Sequence, residues 1–102
     1  MMELSKFDAL LHLGDYDYKC IPDKYFTDIL DKDRKYQFMG VLGNHDAKGQ
    51  CSDKVAERFK ENIYNEMKSS RNSKTHCEFS ESKFMWVCIY KNMVCIYIYI
   101  YY

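Results

Sequence analysis

Two apolar runs in this chain stop abruptly at a glycine, and each is followed by residues suited to holding metal ions. Ala9-Leu10-Leu11-His12-Leu13 leads into Gly14-Asp15-Tyr16-Asp17-Tyr18, and Phe38-Met39-Gly40-Val41-Leu42 leads into Gly43-Asn44-His45-Asp46. Asp15 offers a carboxylate and Asn44 a neutral amide oxygen, the hard donors that metal cations prefer. Short, nearly continuous apolar runs bounded by turn residues read as buried strands of a parallel sheet. In open α/β sheets ligands gather in the crevice beyond the carboxyl ends of the strands. Asp15, Asn44 and His45 all fall just past such ends, which makes this crevice the candidate site.

The elements that must position these residues follow in order. Phe7 to Leu13 is the first strand, and Gly14 opens the turn beyond it. Pro22 suits the first turn of a helix, because its missing donor would be unpaired there in any case, and Tyr25, Phe26, Ile29 and Leu30 recur at helical spacing. The charged run Asp31-Lys32-Asp33-Arg34-Lys35 reads as a solvated helix end and loop, and Tyr36 to Leu42 as the second strand of one βαβ unit. Ser52 or Asp53 can cap a second, amphipathic helix whose apolar stripe is Val55, Ala56, Phe59, Ile63 and Met67. Ser69 to Thr75 reads as a polar loop. Lys83–Tyr90 and Met93–Tyr99 are β-favouring, with Lys91-Asn92 between them, a possible C-terminal hairpin.

Gly-Asp, then Gly-Asn-His-Asp about thirty residues on, each after a strand, resembles the second and third motifs of the calcineurin-like metallophosphoesterases. Gly14-Asp15-Tyr16-Asp17-Tyr18 further resembles the Gly-Asp-x-x-Tyr form of the purple acid phosphatase branch. The fold class implied is α/β, a partial metallophosphoesterase sandwich made of the βαβ unit, the amphipathic helix and the hairpin. The resemblance implies Asp15, Tyr18 and Asn44 as metal ligands, with Asp15 bridging two ions, iron with zinc or manganese. It implies His45 as the group that assists the leaving oxygen by hydrogen bonding or proton donation, and Asp46 as the residue that orients its ring. The reaction implied is hydrolysis of a small phosphomonoester.

Each of these residues has a blander reading. Asp15 alone is a turn-forming aspartate, and His45 alone a surface-turn histidine. Tyr18, like its neighbour Tyr16, could simply pack. Asp17 reads as a solvated turn residue, His12 as a satisfied sheet-end histidine, and Cys77 as a spectator. His76 does not match the family's next metal histidine.

No Asp-x-His or Asp-x-Gly precedes Gly14-Asp15, and no histidine follows His76. With so few ligands the chain is expected to hold metal weakly and to hydrolyse phosphoesters slowly or not at all, or else to act as a non-catalytic interaction piece.

At 102 residues the chain accommodates one small domain. The expected division is a partial phosphoesterase domain over 1–90 and a low-complexity tail over 91–102. Within it, the strict Ile/Tyr alternation that follows Cys95 is what a TA repeat read in frame encodes, so the tail is expected to be translated repeat or intron sequence. Fifteen basic and fifteen acidic residues cancel, which argues against nucleic acid as a partner. A membrane span over Phe84–Tyr102 is disfavoured by Lys91 and Asn92 in its middle. No secretory signal is visible, so the five cysteines are expected to be reduced thiols in a cytoplasmic protein.

Overall fold

The computed structural model describes residues 9–43, 45–46, 50–69, 75–90 and 93–98. Its chain is α/β, with two small sheets held against one long helix. Strands β1 (Ala9–His12) and β2 (Gln37–Gly40) pair in parallel, Ala9 opposite Gln37 and His12 opposite Gly40. All four residues of β2 are buried, as expected of a parallel strand covered on both faces. Helix α1 (Asp53–Ser69) follows and packs on β2. Strands β3 (Thr75–Phe79), β4 (Met85–Tyr90) and β5 (Met93–Ile98) form an antiparallel sheet with β4 in the centre.

Helix α1 is the element that periodicity describes best. Ala56, Phe59, Ile63 and Met67 are its buried residues, spaced three and four apart, with Val55 half-buried at its edge. The start is capped as anticipated, because the Ser52 hydroxyl accepts from the Val55 amide at 3.3 Å. The Phe38 and Phe59 rings are wholly buried, and Tyr16, Phe26, Leu30, Met39, Trp86 and Cys88 close the core around them.

The helix expected after Pro22 is reduced to a single π-helical turn, Tyr25–Ile29. The Leu30 amide donates to the Tyr25 carbonyl at 2.9 Å, an i to i+5 bond in place of i to i+4. The Asp23 carbonyl accepts from both the amide and the hydroxyl of Thr27 at 3.0 Å. The wider turn buries Phe26 and Leu30 but leaves Ile29 62% exposed, so Ile29 leaves the expected stripe.

The second sheet corrects two further expectations. Thr75 begins a strand instead of ending a loop, so His76 and Cys77 sit on β3. The β4–β5 hairpin forms as anticipated, with Tyr90 opposite Met93. The expectation of reduced thiols is also corrected: Cys20 bonds to Cys51 and Cys77 to Cys88, leaving Cys95 free. The reason is spatial. Cys77 and Cys88 are directly opposed across β3 and β4, while Cys20 and Cys51 close the two loops beyond β1 and β2, pairings that sequence spacing does not reveal. Among the described residues no helix is long and apolar enough to cross a membrane.

Two side chains of the second sheet grip the end of β2. The Trp86 indole donates to the Gly40 carbonyl at 2.9 Å, and the Leu42 amide donates to the Tyr97 hydroxyl at 3.2 Å. The carboxyl end of β2 is thereby fixed from outside its own sheet.

Candidate functional site

Both candidate loops leave the same edge of the β1–β2 pair, so a parallel pairing alone brings Asp15 and His45 together. Their approach is unusually close. Gly14 adopts a φ of +100°, and a Cβ on it would overlap the backbone of Gly43. A Cβ on Gly43 would in turn overlap the Asp15 carboxylate. Asp15 itself has a φ of +59°, a left-handed conformation that aspartate tolerates better than most residues.

Asp46 ties the two loops into one body. It is fully buried, and its carboxylate accepts from the amides of Asp15 at 2.6 Å, Tyr16 at 3.0 Å and Gly43 at 3.0 Å. Burial outweighs those three amide bonds and, with the nearby Asp15 charge, lifts the carboxyl above its ordinary range. The Asp46 carboxylate is thus directed at backbone amides, and the carboxylate beside the His45 ring belongs to Asp15.

Asp15 accepts from the His45 amide at 2.9 Å through Oδ1, and its Oδ2 lies 3.3 Å from His45 Nδ1. The backbone amide of His45 is the main reason the Asp15 carboxyl sits below its ordinary range. Asp15 is therefore anionic at neutral pH and faces the imidazole. The Tyr18 ring is 70% exposed and stands edge-on to His45, with centroids 4.6 Å apart. Asn44 lies outside the described residues.

His12 supports the site from below. Its Nδ1 accepts from the Gly14 amide at 3.0 Å, so the ring proton resides on Nε2, and burial lowers its basicity. The ring stacks on Tyr16 at 4.0 Å. The reading of His12 as a sheet-end histidine with a satisfied ring nitrogen agrees with this geometry. Tyr16 packs into the core against Phe26 and Phe59, and burial together with the Asp46 charge raises its phenol well above the ordinary value.

A disulfide closes the outer rim. Cys20 ends the loop that carries Asp15 and Tyr18, and Cys51 follows the loop that carries His45 and Asp46. The Cys51 Sγ lies 3.0 Å from the His45 carbonyl oxygen. Sequence reasoning missed this bond, the Asp46 clamp and the His12 contact. The glycine pair at 14 and 43 was the one signal that two backbones had to meet.

Chemically, the crevice offers a hard anionic oxygen, an imidazole and an exposed phenol. Among the described residues no group of three or more His, Cys, Asp or Glu side chains is arranged to hold a metal ion. Asp15 has the donor type that a hard cation takes, but a complete site uses about three or four protein ligands. No curated protein and no solved structure matches the chain. A family model described as calcineurin-like phosphoesterase matches residues 2–97.

Proposed function

The chain belongs to the calcineurin-like phosphoesterase family, and on that premise we propose that it hydrolyses small phosphomonoesters in the crevice beyond β1 and β2, in the manner of the purple acid phosphatase branch. The observation that carries this reading is the Asp15–His45 pair, assembled from two loops that Asp46 locks together. Asp15, Tyr18 and Asn44 would hold the metal ions, iron with zinc or manganese. What bound ions supply in such a crevice is neutralisation of the phosphoryl oxygens and acidification of a water.

The rest falls to the chain. Asp15 Oδ2 beside Nδ1 favours the tautomer with its proton on Nδ1, which leaves Nε2 as the ring atom that can bond a leaving-group oxygen. The ring side chain is 39% exposed, enough to meet a substrate without leaving the Asp15 carboxylate. Asp46 acts through backbone, setting the height of the Asp15 and Gly43 amides. Net charge zero gives no long-range pull on a polyanion, in keeping with a small substrate.

The competing reading is a non-catalytic piece that binds a partner, and the engagement of the Asp46 carboxylate by three backbone amides, away from the His45 ring, favours it. Hydrolysis of p-nitrophenyl phosphate with added Mn2+, Zn2+ or Fe3+ separates the two, alongside calorimetric metal titration. The phosphatase reading requires metal-dependent turnover well above that of Asp15→Ala. It also requires a drop of about a hundredfold or more in His45→Ala with metal affinity retained. Turnover of the parent chain no higher than that of Asp15→Ala rejects it.

A further inference from the structure

Cys77, Cys88 and Cys95 occupy one straight row across the second sheet. Cys77 opposes Cys88 between β3 and β4, and Cys88 opposes Cys95 between β4 and β5. Directly opposed residues point to the same face, and Cys88 at 2% exposure identifies that face as the core side. We propose that this row is an intramolecular thiol–disulfide relay, in which the covalent link between strands moves from β3–β4 to β4–β5.

The row supplies the geometry the exchange needs. The Cys95 thiolate attacks Cys88 Sγ from the side away from Cys77, an S–S bond forms between 88 and 95, the 77–88 bond breaks, and Cys77 leaves as thiolate. The proton that Cys95 gives up returns to the thiolate of Cys77, so no external oxidant or reductant enters. The Cα atoms of Cys77 and Cys88 are 4.1 Å apart, the spacing of the closer, non-hydrogen-bonded kind of antiparallel pair. On a central antiparallel strand the same residue then forms the wider pair with its other neighbour, at about 5.5 Å, a separation usual for a disulfide. The released Cys77 would face a cavity of about 220 Å³ that Tyr64, Met67 and Lys68 of α1 also line. Lys68 contributes a cation to that cavity, and the opposing charge, Glu78, is engaged by His76 at 2.6 Å. β3 would lose its covalent tie to the sheet, while β5 would gain one.

Trypsin separates the three cysteines onto peptides 75–83, 84–91 and 92–102. The purified full chain is held at mildly alkaline pH without added thiol, its free thiols are alkylated at intervals, and the digest is mapped without reduction. The expected course starts with 75–83 linked to 84–91, then shows 84–91 linked to 92–102 while the alkyl label moves from 92–102 to 75–83, at a rate unchanged by tenfold dilution. A label that stays on 92–102 throughout overturns the proposal. So does a rate that scales with concentration, or a fresh chain with all three peptides labelled. Cys77→Ser gives a second check: its oxidised form should carry the 88–95 bond, and free thiols at both positions would equally overturn the relay.

Discussion

Beyond β1 and β2, three backbone amides converge on the Asp46 carboxylate and two glycine backbones touch. Across β3–β4–β5, apart from the Trp86 bond to Gly40 and the Cys77–Cys88 disulfide, side chains follow a simple alternation: Trp86 and Cys88 enter the core, while Met85 and Ile89 on β4 and Val94 and Ile96 on β5 face out. The first region is specified by individual residues whose replacement leaves a buried polar group without a partner or forces two backbones together. The second is specified by a period of two and by register, which many residues can satisfy. Precision is therefore concentrated at the candidate site, and tolerance in the sheet that supports it.

Four substitutions would break or sharpen that contrast. Asp46→Ala strips three amides of their acceptor and should cost about 4 kcal/mol, read as a shift in the urea midpoint. A loss no larger than that of a surface change would mean that the loops hold together without the clamp. Gly14→Ala meets both a left-handed backbone and the Gly43 chain, and about 3 kcal/mol is expected in the same experiment. Trp86→Phe keeps the ring in the core but gives up the bond to the Gly40 carbonyl, which should cost about 1–2 kcal/mol in thermal unfolding. Ile96→Thr on the bare face should shift stability by less than about 0.5 kcal/mol. If it proves as costly as Gly14→Ala, the sheet is not the tolerant partner and the contrast fails.

The same division explains how much the sequence revealed. Helix α1 was legible because its partners recur every three or four residues along one face. β1 and β2 were legible as apolar runs with glycine just beyond, and Asp15 and His45 as the polar residues that follow. β3 was not, because Thr75-His76-Cys77-Glu78-Phe79 alternates without a strong apolar face. The π turn rests on one i to i+5 bond, from the Leu30 amide to the Tyr25 carbonyl, a local detail that spacing does not carry. The Asp46 clamp joins residues about thirty positions apart, and nothing short-range separates an aspartate that orients a ring from one that collects amides. The Cys20–Cys51 pairing is invisible for the same reason.

That pairing has a topological consequence. The Cys20–Cys51 bond closes a covalent ring around positions 21–50, and β2 lies wholly inside it. The charged run at 31–35, with Lys32 and Lys35 exposed, is part of the ring. A single protease cut at either lysine would open the circle without dividing the molecule, since both fragments stay tethered through sulfur. The nicked protein would migrate as one species until a reductant is added and as two afterwards, with Asp15 on one fragment and His45 on the other.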